Sequence, residues 1–133
     1  MKTGEIIYAN SHAEFLNKTF KTNYKAWMKC CYSLNSKYEV WMIRFDGKAR
    51  DGWKNFYNGD IIKDENLFYD RKSWDNMPLP KTLYHTKLVF EIIEKSSGYR
   101  MYVFKGVYEY QEDISNPYKV RVYKKLSNEF NFN

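Results

Sequence analysis

The stretch from Arg44 to Asp60, RFDGKARDGWKNFYNGD, gathers three kinds of side chain that together suit one kind of chemistry. Trp53, Phe56 and Tyr57 bring flat apolar rings, Asp46, Asp51 and Asp60 bring acceptors, and Arg44, Lys48, Arg50 and Lys54 bring positive charge. A pocket for a base turned out of a nucleic acid needs rings to sandwich the base, a carboxylate or amide to read its edge, and cations outside for the backbone. The base-binding set expected here is Trp53 and Asp51, joined by Trp74, which lies in a long polar connection with no periodic core to join. In so aromatic a chain, ordinary turn residues and core rings account for the same stretch equally well.

A second basic, aromatic region closes the chain. FKGVYEYQEDISNPYKVRVYKKLS, residues 104–127, interleaves rings with lysine and arginine. In its last strand Arg121, Tyr123 and Lys125 alternate with Val120, Val122 and Lys124, so one face presents cations and a ring while the other packs inward. Cations hold phosphates and rings stack on bases, which gives an expected phosphate-binding set of Arg44, Lys48, Arg50, Arg121, Lys124 and Lys125. The same pattern also fits an edge strand that uses lysine to avoid pairing with other chains.

Catalytic signatures are lacking. His12 and His85 sit in no metal-ligand spacing, and no phosphate-cradling loop, nucleophile elbow or dinucleotide fingerprint occurs. Glu91, Glu94 and Lys95 resemble the end of a nuclease strand only loosely, because Glu94 and Lys95 are neighbours and so face opposite ways. No catalytic residue, metal or cofactor is expected, and the chain reads as a binding module more readily than as an enzyme. An enzyme would need carboxylates brought together from afar, such as Glu14, Asp60 and Glu91.

Composition sets the outer limits. With 133 residues, 26 of them aromatic by the count of 13 Tyr, 9 Phe and 4 Trp, the chain is one ordinary globular domain. Its 22 Lys and Arg against 16 Asp and Glu give a formal charge of +6, which favours a polyanionic partner, though genomic base composition alone produces a similar bias. The two cysteines, Cys30 and Cys31, are adjacent; neighbours rarely bridge each other, so a reducing cytoplasm is expected. No apolar run reaches signal or membrane-span length, and no membrane partner is expected.

The elements that must position these residues follow from periodicity. SHAE is a capping box, with Ser11 as cap and Glu14 reaching back, and it opens a helix carrying Phe15, Leu16 and Phe20. Tyr24, Trp27, Met28 and Cys31 fall at i, i+3, i+4 and i+7, which predicts a second helix over 23–32 with an inert, buried Cys31. From Tyr38 the period becomes two: Trp41, Ile43 and Phe45 alternate with Val40, Met42 and Arg44 in a strand covered on both sides. A short strand at 59–63 precedes the polar connection 64–81, whose length marks it as functional or a lid. Residues 84–126 predict a three-stranded meander turning at SSG (96–98) and SNP (115–117), with Gly106 as a bulge in its middle strand.

FKGVYEY followed by YKVRVYKKLS resembles the closing hairpin of the SET- and RING-associated and PUA-like domains of bacterial restriction and phage-encoded proteins. That resemblance implies a curved β-barrel flanked by helices that recognises a modified or flipped base. The combined expectation is an α+β domain spanning 1–133, with two N-terminal helices on a curved, mostly antiparallel sheet of five or six strands or a partly open barrel. Its expected task is non-catalytic nucleic-acid binding, DNA ahead of RNA, in a bacterial or phage defence setting. The alternative is a protein-binding inhibitor that acts on a bacterial defence protein through its tyrosine-rich face.

Overall fold

In the computed structural model, which describes residues 1–95 and 98–131, one sheet carries most of the chain. Its strands are β1 (Ile6–Ala9), β2 (Cys31–Ser33), β3 (Tyr38–Ile43), β4 (Ala49–Arg50), β5 (Trp53–Tyr57), β6 (Ile61–Asn66), β7 (Thr86–Glu94), β8 (Arg100–Tyr110) and β9 (Val120–Ser127). They run in the order β2-β3-β7-β8-β9-β6-β5-β4, and β1 pairs with the first part of β8. All pairs are antiparallel except β3 with β7. The nine strands exceed the expected five or six: β1, β2 and β4 are four, three and two residues long, too short to show a period, and β5 lies in the stretch rich in Asp, Gly and Asn that reads as turns.

The predicted meander is β7, β8 and β9, and Gly106 does mark its irregularity. Val89 faces Gly106 while Phe90 faces Phe104, so Lys105 is the extra residue of a bulge. Gly106 sits at φ +125°, and a Cβ there would lie 2.9 Å from the Ser127 carbonyl oxygen, so β9 approaches as closely as glycine permits. Of the first predicted turn, Ser96 and Ser97 lie outside the described residues.

The sheet curls strongly. Trp41 on β3 and Tyr123 on β9 are separated by two intervening strands, roughly 14 Å in a flat sheet, yet their ring centroids lie 5.0 Å apart. Curling gives the central strands two different cores. On the convex side, α1 (His12–Phe20) lays Ala13, Phe15 and Leu16 against Val40, Met42, Leu88, Phe90, Tyr102 and Phe104. On the concave side, Trp41, Ile43, Ile62, Val89, Tyr108, Tyr110 and Tyr123 fill the interior. The alternation expected of β3 therefore holds: odd residues face one core, even residues the other, as a strand with a parallel neighbour and cover on both faces requires.

α1 begins at the expected cap, with the Ser11 hydroxyl accepting from the Glu14 amide at 3.1 Å, but the returning Glu14 carboxylate accepts from the Asn10 amide at 3.1 Å and not from that of Ser11. The second predicted helix does not form. After Lys21, in a left-handed conformation at φ 56°, Asn17 holds Tyr24 by both backbone groups, accepting from its N–H at 2.9 Å and donating to its carbonyl at 2.8 Å. The chain then runs without regular structure into β2, where Cys31 pairs with Trp41. Tyr24, Trp27 and Tyr32 still cluster on the convex core, but by tilted and edge-on ring contacts at 4.6 to 5.7 Å rather than along a helical stripe, and Met28 is 93% exposed. Sheet pairing and ring packing outweigh a modest helical propensity. The only other α-helix among the described residues is one turn, α2 (Arg71–Trp74), inside the polar connection. No helix among them is long and apolar enough to cross a membrane.

Candidate nucleic-acid interface

The curl leaves a cleft of about 660 Å³ open at one end of the concave face. One wall comes from a two-residue hairpin. Asp51 and Gly52 both take positive φ, 54° and 82°, so β4 and β5 are joined by an Asp-Gly turn that sets Arg50 opposite Trp53. With side chains alternating, Trp53, Asn55 and Tyr57 share the inner face of β5. Register then lines up Asn55 on β5, Asp64 on β6 and Arg121 on β9 across three adjacent strands. The opposite wall is Trp41 and Ile43 of β3 with Cys30 and Cys31.

Asp64 is the chemically distinctive group of this cleft. Asn55 Nδ2 donates to its Oδ1 at 2.8 Å. Burial pushes its carboxyl from the ordinary 3.8 up to about 6, against the opposing pull of the Arg121 charge and the Asn55 hydrogen bond. Arg121 cannot neutralise it fully, because its guanidinium lies over the Trp53 ring, 4.3 Å from the centroid, and its Nε donates to the Pro117 carbonyl at 2.7 Å. Deeper in, Glu39 and Lys87 form a buried ion pair at 2.8 Å, with Lys87 also donating to the Thr82 carbonyl. That second bond satisfies part of an ammonium taken out of water, without which the pair would be strongly unfavourable.

At the cleft mouth the charge turns positive but is partly spoken for. Arg44 pairs with Glu94, which Arg100 also approaches at 3.5 Å, and Arg50 makes two hydrogen bonds to Asp46 at 2.6 and 3.0 Å. The Arg50 guanidinium holds the Asp46 carboxyl well below the usual range. Lys48 stands exposed beside them. His12, at the inner edge, is hydrogen-bonded through Nδ1 to the Tyr102 hydroxyl at 2.7 Å and is pushed down to about 4 by burial and by the nearby Arg100 and Arg44 charges.

The structure brings some of the expected site residues together and separates others. Trp53, Asp51, Arg44, Arg50 and Arg121 all line the cleft. Asp51 does so from the exposed hairpin turn. Trp74 stands behind Trp53, edge-on at 6.3 Å, with its indole N–H bonded to the Phe68 carbonyl, so it backs the wall instead of facing the opening. Phe56 points to the outer face under Lys54, while Tyr57 stacks on Phe45 at 4.4 Å. The last strand departs most from expectation. β9 is not an edge strand, and its Arg121, Tyr123 and Lys125 face turns inward: it lies between β8 and β6, and Tyr123 is 4% exposed in the concave core. Lys125 extends over the Tyr108 ring on that inner side, and Lys124 is exposed on β9 opposite Ile61 and Glu109.

Asp64, Asn55 and Trp41 were not singled out by the sequence. Asp64 opens what reads as a polar connection, whereas β6 continues to Asn66, whose side-chain amide donates to the Tyr118 carbonyl at 3.0 Å. The available signal was a polar residue, Asn55, two positions from Trp53 on the same strand face. Glu14, Asp60 and Glu91 do not assemble; among the described residues no three potential metal ligands do. Glu14 is tied to Lys18 at 3.0 Å and Glu91 to Lys105 at 3.4 Å.

Comparison with known proteins gives a family and a fold. The family model of the SET and RING associated domain (SRA) matches residues 1–132. No curated protein matches the chain. Among solved structures the chain is similar to the 5-hydroxymethylcytosine-specific restriction enzyme AbaSI, with a TM-score of 0.63 and 19% identity. The likeness covers 92% of this chain and 39% of that one, so the chain spans about two fifths of that enzyme's length, and at this identity it bears on the fold alone.

Proposed function

The chain belongs to the SET and RING associated domain family, and from that premise we propose that its concave cleft takes a modified cytosine turned out of duplex DNA. The observation that carries this reading is Asp64: a half-buried carboxyl in a cleft wall, bonded to Asn55 and flanked by an arginine stacked on tryptophan. Cytosine offers a ring nitrogen that accepts and an exocyclic amine that donates. A carboxyl that titrates near 6 complements both, since its protonated form donates to the first while its other oxygen accepts from the second. Trp53 and Trp41 supply rings on opposite walls, and Arg44, Lys48 and Arg50 face the flanking phosphates.

In this reading Asp64 takes the base-reading part that the sequence suggested for Asp51, and Trp74 acts by bracing Trp53. The activity is recognition without catalysis, serving restriction of modified phage DNA. The hydroxymethylated base for which AbaSI is named is the first ligand to try. The protein-docking alternative relied on a tyrosine-rich face; of the tyrosines in the closing segment, Tyr108, Tyr110 and Tyr123 are buried, while Tyr8, Tyr84 and Tyr99 are exposed elsewhere.

The test is anisotropy of duplexes carrying cytosine, 5-methylcytosine or 5-hydroxymethylcytosine at one position, at two salt concentrations, with Asp64→Asn and Trp53→Ala alongside. Preference for a modified duplex that both substitutions abolish supports the reading. Equal binding of all three duplexes, unchanged in both variants, would place any nucleic-acid contact outside this cleft.

A further inference from the structure

Cys30 and Cys31 enter none of this chemistry, yet both line the cleft. Their sulfur atoms lie 3.3 Å apart, in hydrogen-bond contact. The two thiols differ in their surroundings: Cys30 is exposed, whereas Cys31 is half-buried and packs on the concave core. We propose that this pair is a redox-modification site, converted by a peroxide to a vicinal disulfide that closes the cleft to nucleic acid. The second half of that statement rests on the proposed function; the first does not.

The step balances as a two-electron oxidation. The Cys30 thiolate attacks one peroxide oxygen, the O–O bond breaks, and hydroxide leaves to give a Cys30 sulfenic acid. Cys31 sulfur then attacks the Cys30 sulfur, the S–S bond forms, and the sulfenyl oxygen departs as water. Two thiols and one hydrogen peroxide become one disulfide and two waters. The asymmetry assigns the roles. A hydrogen bond from Cys31 holds the Cys30 thiol below its ordinary value, and the same contact together with burial pushes Cys31 up. The exposed, more acidic thiol is the one a peroxide meets, and the shielded one resolves it. Asp64 and Glu39 across the cleft and Lys87 beneath it are the charges that face the pair.

A disulfide between neighbours is strained, because adjacent α-carbons are about 3.8 Å apart whereas bridged cysteines usually stand roughly 4.4 to 6.8 Å apart. Strain makes the bond easily reduced, which suits a reversible switch and not a structural staple. It also falls where it changes the cleft. The Cys30 carbonyl accepts from the Met42 amide at 2.8 Å, and Cys31 is the first residue of a three-residue edge strand paired to Trp41. Turning the Cys30–Cys31 peptide to close the ring pulls on both attachments and carries Met28 and Lys29, which line the same opening.

The test treats the full chain with hydrogen peroxide and follows intact mass, free thiols and binding of a modified-cytosine duplex. The expected result is loss of both thiols together, a mass lower by two hydrogens, about tenfold weaker duplex binding, and full recovery with dithiothreitol. Cys31→Ser should stop at a sulfenic acid trapped by dimedone, and Cys30→Ser should react much more slowly. Oxygen-adduct masses or crosslinked dimers in place of the two-hydrogen loss overturn the dithiol site. A disulfide that forms while duplex affinity stays unchanged overturns the gating. If the reduced chain binds no duplex, the proposed function and the gating fail together, while mass and thiol count still decide the dithiol site.

Discussion

The two faces of strands β3, β7 and β8 are built from adjacent residues of the same segments, yet they serve different ends. On the convex face Phe15 stacks on Tyr102 at 4.2 Å and meets Phe90 edge-on at 4.9 Å, and α1 seals the contact. Water and charge are kept out. On the concave face three tyrosines, Tyr108, Tyr110 and Tyr123, join Trp41 and aliphatic side chains, and this core encloses a Glu39–Lys87 ion pair and opens onto Asp64. Burial there is incomplete by design of the curl, and a carboxyl with a shifted titration survives because a strand neighbour and a nearby arginine partly compensate it. The difference separates the face that stabilises the domain from the face that can recognise something.

The contrast is sharpest in stability. Phe15→Ala removes a fully buried ring on the convex side and should cost about 3 to 5 kcal/mol in chemical denaturation. Near-normal duplex affinity per folded molecule should accompany that loss. A specific loss of binding in the folded fraction would mean that the two faces are not separable.

The next effect is a pH dependence. Asp64 titrates at about 6 when folded, above its ordinary 3.8, so the native state holds that proton more tightly than the unfolded chain. Its contribution is therefore fully present below about pH 4 and is lost as pH rises through about 6. Wild type should lose up to about 3 kcal/mol relative to Asp64→Asn between those limits. His12, held near 4, works in the opposite direction, losing its stabilising contribution as pH falls from about 6.5 toward 4, but it is common to both proteins and cancels in their difference. Parallel stability curves for the two proteins would show that Asp64 is not held as described. Duplex affinity of wild type should also fall as pH rises through about 6 if the protonated carboxyl reads the base.

Two smaller effects belong to the concave side alone. Trp53→Ala should weaken duplex binding by about 1 to 3 kcal/mol while changing stability little, because the ring is only half-buried and stacks on Arg121 rather than on the core. Lys48→Ala should weaken all duplexes alike and reduce the salt slope by about one, the signature of one phosphate contact. A loss confined to modified duplexes would instead move Lys48 into base reading.

Much of the scaffold was legible. The capping box at Ser11, the two-faced strand from Tyr38, the C-terminal meander and the bulge at Gly106 are local patterns, each with a local physical cause. The resemblance of the closing segments to the SET- and RING-associated domains pointed to the right family. The second helix failed because its apolar spacing is compatible with rings packed from an irregular segment, and the deciding contacts, from Asn17 and from Trp41, come from other segments.

The site divided along the same line. Composition placed Trp53 among acidic and basic residues, and the local preference of Asp-Gly for a tight turn explains why Asp51 and Gly52 join β4 to β5, but the pairing of Arg50 with Trp53 became visible only in the sheet. Which face of β9 points inward, that Asp64 joins Asn55 and Arg121 in one row, and that Trp41 meets Tyr123 were decided by strand register and by the curl of the sheet. Register shifts by one residue exchange every inward side chain for an outward one, and partners far apart in sequence set it, so only the assembled sheet fixes which carboxyl faces the cleft.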